Sequence, residues 1–207
     1  MISSLYSIAE RTMKIVSPRM TTDSKVTMQE MLQTIGSARD KLIANEAYSQ
    51  RYAEEPIEVD EIIKSYGYTE VINPEWDSTR NSWKLQLPAI PIELPYSAGL
   101  RGVSVRGNDN LSMVRVEPNS NNMFRGLYGS SIPRDTYHRE MNEIYFHQAM
   151  TEDMCIVMQI VPASKSLNSR EEIPISQTME IDIIKQVSEF YLSVGQVPED
   201  SISDDND

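Results

Sequence analysis

The hydrophobic residues of this chain change period twice, and that change limits the folds open to it. Up to Tyr66, and again from Met179, they recur every three or four residues, as on one face of a helix. Between Trp83 and Val161 they alternate or run together, as strands do. The sequence therefore predicts an α+β fold with N-terminal helices over 1–66, a mainly antiparallel β region over 83–161 and an amphipathic helix over 177–194. A chain of 207 residues, 40% of them apolar, can bury one core of this kind, so a single domain is expected over 1–195. The acidic stretch 196–207 is expected to be disordered.

Met1 to Ile15 reads as a short amphipathic segment with Ile2, Leu5, Ile8, Ala9 and Met13 on one side. Val16-Ser17-Pro18 ends it, because proline disfavours helical geometry in the residue before it. Thr21-Thr22-Asp23-Ser24 offers capping side chains for a second helix. Its apolar positions, Val26, Met28, Met31, Leu32, Ile35, Ala38, Leu42 and Ile43, carry it to about Tyr52, with Arg39, Asp40 and Lys41 assigned to the outer face. Glu54, Glu55, Glu58, Asp60 and Glu61 crowd around Pro56 beside the apolar Val59, Ile62 and Ile63, giving a short helix into Tyr66 that Gly67 stops. These acids lack the alternating ligands and central glycine of a calcium loop, so they read as a solvated helix face.

In the β region, Trp83-Lys-Leu-Gln-Leu alternates and stops at Pro88, and Ile90 to Leu94, beside two prolines, reads as an edge or a loop. Leu100 to Arg106 alternates, Gly107-Asn108-Asp109-Asn110 turns the chain, and Leu111 to Val116 is expected to return as its antiparallel hairpin partner. Asn119 to Gly129 is a long polar loop. Glu143 to Gln148 places Ile144 and Phe146 on one face and Tyr145 and His147 on the other. Met154 to Val161, broken only by Gln159, reads as a buried strand. From Met179, the set Ile183, Ile184, Val187, Phe190, Tyr191 and Val194 forms a core-facing helical stripe. Ser176 caps it, Glu180 and Asp182 complement its positive end, and Gly195 closes it. Phe190 and Tyr191 are the expected burial anchors.

Composition excludes several function classes. A net charge of −12, from 31 acidic and 19 basic side chains, argues against a duplex-DNA binder, which needs clustered Lys and Arg, and against docking on an anionic membrane. No apolar run reaches the roughly 18 residues of a membrane-spanning helix. Met1 to Glu10 lacks the basic start and apolar stretch of a secretory signal. The lone Cys155 has no partner for an internal disulfide, which fits a reducing compartment. The expectation is a soluble, acidic protein made inside the cell.

Few residues could carry chemistry. A zinc site wants three or four His or Cys ligands at short spacings, whereas His138 and His147 stand nine apart and Cys155 eight further on. Gly99, Gly102 and Gly107 read as turn glycines, because Asn108 and Asp109 stand where a phosphate loop needs Lys and Ser or Thr, and the flanks alternate like strands. Ser130 and Ser131 are loop serines, and nothing in their spacing from Asp135 and His138 supports a catalytic triad. No catalytic, cofactor-binding or metal-binding residue is assigned, and the chain is not read as an enzyme. Met113, Met123, Met141, Met150, Met154 and Met158 fall in strands or loops, where thioethers suit either core packing or an adaptable contact surface. Trp76 and Trp83 flank a polar loop, as contact anchors or as partly buried side chains.

The order of several motifs carries a resemblance. Arg39, Leu42, Ile43 and Glu46 form an Arg-x-x-Leu-Ile-x-x-Glu pattern on the second helix. Leu87-Pro88 to Leu94-Pro95, the strand Gly99-Leu-Arg-Gly-Val103, the strand Asn142-Glu-Ile-Tyr-Phe146 and the turn Glu172-Ile-Pro-Ile175 then precede the final helix. Over Thr22 to Val194 this series resembles the head–tail connector or ring (adaptor) proteins of tailed bacteriophages. It looks most like the crAss-like phage type and is distantly similar to tail tubular protein A. The resemblance implies a structural virion subunit at the portal vertex or tail, in a dodecameric ring that extends the DNA channel below the portal, without a catalytic site or cofactor. Its implied partners are copies of itself, the portal protein and neighbouring tail rings, with genome DNA passing through unread and no membrane. An acidic wall would repel phosphates and let DNA slide, and the acids between Glu54 and Glu61 are candidates for that lining. Two other expectations compete. One is a minor capsid or capsid-accessory protein. The other is a hydrolase or nuclease with an oxygen-ligated metal, for which the sequence offers no compact Asp/Glu pair on a strand near a Lys or His.

Overall fold

A computed structural model of the chain describes residues 3–19, 26–51, 65–94, 99–107, 112–116, 135–147, 150–151 and 153–194. In chain order the elements are β1 (Ser3–Ser4), α1 (Leu5–Val16), a 3₁₀ turn (Ser17–Arg19), α2 (Met28–Arg51), β2 (Tyr68–Ile72), β3 (Glu75–Asp77), β4 (Ser82–Gln86), β5 (Leu100–Val105), β6 (Val114–Arg115), β7 (Thr136–Glu140), β8 (Glu143–Phe146), β9 (Ile156–Ile160), a 3₁₀ turn (Ser164–Ser166), β10 (Glu172–Ile173) and α3 (Gln177–Val194). The fold is α+β, with helices and largely antiparallel sheets. It divides into two compact units, one from Met1–Leu42 with Asn168–Asp207 and one from Ile43–Leu167. The candidate cap at 21–24, the whole acidic patch and the expected helix up to residue 64, the expected turn at 108–110, the loop 119–129, Ser130, Ser131, Met123, Gly195 and the acidic tail lie outside the described residues.

The first unit begins with β1, which pairs antiparallel with β10 in the register Ser3↔Ile173. Ser4 then caps α1. Its hydroxyl accepts from the Ser7 amide at 3.1 Å, while Ser7 Oγ accepts from the Ser4 amide at 3.1 Å, so two helix-end donors are satisfied reciprocally. Leu5, Ile8, Ala9, Thr12 and Val16 form its buried stripe. At the start of α2 the Glu30 carboxylate accepts from the Thr27 amide at 2.8 Å, and Thr27 Oγ1 accepts from the Glu30 amide at 3.2 Å.

Arg39 corrects the sequence reading. It is fully buried, not on the outer face of α2, and its Nη1 donates to Asp40 Oδ1 at 3.0 Å. The reason is its spacing. Met31, Ile35, Arg39 and Ile43 recur every four residues, so Arg39 belongs to the inner stripe despite its charge, and the other three are buried with it.

In α3 the same four-residue spacing buries Met179, Ile183, Val187 and Tyr191. Ser176 Oγ accepts from the Met179 amide at 3.2 Å, as the sequence predicts for a cap. Tyr191 is 9% exposed, but Phe190 is 54% exposed, so only one of the two expected anchors is buried. Consecutive helical residues stand about 100° apart, and the stripe has room for Tyr191 alone. Glu180 does more than face the helix dipole. Its buried carboxylate accepts from the Ser3 hydroxyl at 2.5 Å and pairs with Arg11, tying β1 and α1 to α3.

The second unit holds two sheets. In the smaller, β9 lies between β2 and β5, antiparallel to both. Ile156, Met158 and Ile160 of β9 are buried, as expected for an apolar run inside a sheet. A bulge in β5 between Arg101 and Ser104 places Gly102 at φ +59°, a conformation that favours glycine. The larger sheet has the order β3-β4-β8-β7-β6. Leu85, Ile144, Phe146 and Tyr137 from it share one core with Leu100, Val103, Ile156 and Met158 from the smaller sheet. Met113 and Met150 also pack there, whereas Met141, at a β turn, is 93% exposed.

Of the segment expected to return as the hairpin partner of β5, residues 112–116 are described, and their strand does not pair with β5. Within it, β6 pairs parallel to β7 in the larger sheet, with the Val114 amide bonded to Asp135 O at 3.0 Å and the Val116 amide to Tyr137 O at 2.8 Å. One backbone bond, from the Met113 amide to Val103 O at 2.7 Å, links the segment to β5. Val114 and Arg115 are both exposed, so their alternation presents no buried face to hold them against β5.

Candidate functional site

Period two sets the two faces of the larger sheet. Trp83, Leu85, Ile144, Phe146 and Tyr137 point one way, and all but the partly buried Trp83 lie in the core. The alternate residues bring Asp77, Lys84, Glu143, Tyr145, His138 and Glu140 together on the opposite face.

Arg80 reaches this face from the turn between β3 and β4. The Asp77 carboxylate holds that turn, accepting from the Thr79 amide at 2.9 Å and the Arg80 amide at 3.3 Å. The Arg80 guanidinium then lies 4.5 Å from the centroid of the Tyr145 ring and donates to Glu140 Oε2 at 2.5 Å. Tyr145 donates its hydroxyl to Glu143 Oε2 at 2.5 Å. Lys84 Nζ stands 3.3 Å from Glu143 Oε1 and 3.8 Å from Asp77 Oδ2. On the other side, His138 stacks on Tyr145 with centroids 5.2 Å apart, its Nδ1 lies 2.9 Å from His147 Nε2, and its Nε2 lies 3.5 Å from Glu140 Oε1.

The electrostatics follow from these partners. The Tyr145 hydrogen bond, followed by that of Lys84, holds the Glu143 carboxyl below its usual range. Arg80 does the same for Glu140. Donation to Glu143, with some desolvation, pushes the Tyr145 hydroxyl up to about 12. A general acid or base works best with a pKa near the operating pH, and these shifts move both carboxylates and the phenol away from neutrality. The arrangement is a lattice of alternating charge, suited to holding a surface in one shape or to meeting another polar surface.

Other candidates fall elsewhere. Trp76 and Trp83 are direct cross-strand partners in β3 and β4, packed edge to face with centroids 5.5 Å apart, and Trp76 is 48% exposed. Cys155 is partly buried just before β9. Among the described residues no group of three or more His, Cys, Asp or Glu is arranged to hold a metal ion, and no helix is long and apolar enough to cross a membrane. The sequence reading missed Arg80, Lys84, Glu140 and Glu143 as a group. The signal for Lys84 and Glu143 was present in the period-two patterns of β4 and β8, whereas Arg80 arrives from a turn and has no such marker.

The motifs behind the phage resemblance occupy framework positions. Arg39 and Ile43 lie in the buried stripe of α2, and Glu46 accepts a 2.7 Å hydrogen bond from the Tyr66 hydroxyl. Gly99 lies so close to the Ile92 carbonyl that any Cβ would collide with it. Asn142 Nδ2 donates to Leu87 O at 3.1 Å at the start of β8, and Ile173 is buried in β10. The sequence matches no protein-family model, and a search of curated proteins gives no match.

Proposed function

We propose that this chain is a structural virion protein, a ring subunit of the head–tail connector of a tailed bacteriophage, extending the DNA channel below the portal. The observation that carries the reading is the ordered set of motifs from Arg39 to Ile175, whose residues brace the helices and sheets. Two further features support it. Phe190 and Ile181 project from α3 and Trp76 from β3, each about half exposed, as expected of a subunit whose sides are covered by neighbours. The charge of −12 per chain is multiplied around a ring and would keep DNA from adhering to the channel wall. Copies of the chain would meet by head-to-tail contacts that close by rotation, with the portal and a tail ring as axial neighbours.

Quantitative mass spectrometry of DNase-treated, density-purified particles tests the proposal, with this chain scaled to the portal protein. A ratio near one, or a small multiple, is expected of a ring in the portal stack. A ratio of tens would assign it to the capsid shell, and absence from the particles would refute a virion role.

A further inference from the structure

The chain has two histidines, and the fold brings their rings together. His138 Nδ1 and His147 Nε2 face each other at 2.9 Å, with the ring planes 29° apart. The β7–β8 turn converts their nine-residue separation into adjacency. His147 donates its amide to Thr136 O at 3.0 Å, so it lies opposite Thr136 and diagonal to His138 on the same sheet face.

We infer that this pair is a chelating site for one divalent transition metal ion, Cu²⁺ or Ni²⁺ by preference, with the ion replacing the proton that the two rings share. Imidazole nitrogen binds such ions at about 2.0–2.1 Å, so two nitrogens 2.9 Å apart subtend about 90° at the metal. That angle fits two neighbouring positions of a square-planar or octahedral site. A tetrahedral zinc site needs the nitrogens about 3.3–3.4 Å apart, so the pair must open to accept it. The geometry thus ranks the ions in the same order as their general affinity for nitrogen ligands.

The surroundings fit a metal-binding histidine. Glu140 Oε1 lies 3.5 Å from His138 Nε2, so the proton is favoured on Nε2 and the lone pair on Nδ1 faces His147. The Tyr145 ring, stacked within 15° of parallel, holds the imidazole plane. Both histidines belong to one antiparallel hairpin, a rigid support. Solvent would fill the remaining coordination positions. This inference stands apart from the ring reading, and a bound ion would clip β7 to the residue that follows β8.

The test uses the full chain with copper sulfate as the only metal, read by pulsed EPR, which counts the remote nitrogens of bound imidazoles, and by thermal unfolding. The expected result is one saturable Cu²⁺ with two imidazoles and a rise in Tm. His138→Asn and His147→Asn should each abolish the two-imidazole signal, and Glu140→Gln should keep it while weakening binding roughly tenfold. With two histidines in the chain, the wild-type spectrum is decisive even if a variant misfolds. Oxygen-only or single-imidazole coordination would overturn the inference. So would a two-imidazole signal lost on dilution at constant metal-to-protein ratio, since that would place one histidine on each of two chains.

Discussion

Phe190 and Tyr191 are neighbours in sequence and opposites in the fold, and the difference can be measured. Tyr191 lies at the end of the buried stripe of α3, with its hydroxyl 2.9 Å from Thr34 Oγ1 of α2. The Thr34 hydroxyl donates to Glu30 O at 2.9 Å, which uses its one hydrogen, so Tyr191 must be the donor to Thr34. Tyr191→Phe keeps the ring and removes only this bond, with an expected loss of about 0.5–1.5 kcal/mol. Tyr191→Ala also empties the ring's place and should cost about 3–5 kcal/mol. Phe190→Ala should stay within about 0.5 kcal/mol, the range of an ordinary surface change. Urea unfolding followed by the helical circular dichroism signal gives these values as midpoint shifts at unchanged slope. A double-mutant cycle of Thr34→Val with Tyr191→Phe should return a coupling of about 1 kcal/mol, because each change breaks the same bond. Strict additivity would refute the hydrogen bond. A loss at Phe190→Ala equal to that at Tyr191→Ala, independent of protein concentration, would refute the placement of the stripe.

Two further outcomes follow from the sheets. Gly102 sits at φ +59° in the β5 bulge and Gly107 at φ +87° with open space around it, so alanine at either should cost about 1–2 kcal/mol through backbone strain. Gly107→Asn should cost much less than Gly107→Ala in thermal unfolding, because asparagine tolerates that conformation. Tyr145 should titrate near 12 in the folded protein by ultraviolet absorbance, because donation to Glu143 raises it. Its folded value is above the unfolded one of about 10, so the associated stability is complete below pH 10 and is lost as the pH rises toward 12. Glu143 is shifted the other way, and its contribution is lost as the pH falls below the ordinary carboxylate range. Tyr145→Phe should reduce the alkaline loss, leaving the share of Tyr68 and Tyr137, which burial also raises, and an unchanged alkaline profile would refute the assignment.

The elements legible in the sequence were those whose own residues settle their environment. α3 announced itself through four-residue spacing and a serine at its start, and β9 through an apolar run too short for most helices. Arg39 was misplaced because its charge outweighed its position between Ile35 and Ile43 in the same stripe. The partner of β6 was missed because pairing depends on residues far away, and two exposed side chains record nothing about it. β2 was overlooked although Tyr-Thr-Glu-Val-Ile, between Gly67 and Asn73-Pro74, carries a usable β signal. The polar face of the larger sheet was half legible. Tyr145 and His147 were assigned to the face opposite Ile144 and Phe146, but the meeting of His138 with His147 requires the register of β7 on β8, which no spacing rule supplied.

The pairing of β1 with β10 has a consequence for how the chain matures on the ribosome. Ser3 finds its partner Ile173 only after the 169 residues between them have been made. At about 5–20 residues per second, the first strand and the stripe of α1 stay uncovered for roughly 10–30 s. Every described strand of the second unit lies within Ile43–Leu167, so that unit can form during this interval. The opening helix is therefore the part of the first unit that waits longest for its packing partner, the helix Gln177–Val194.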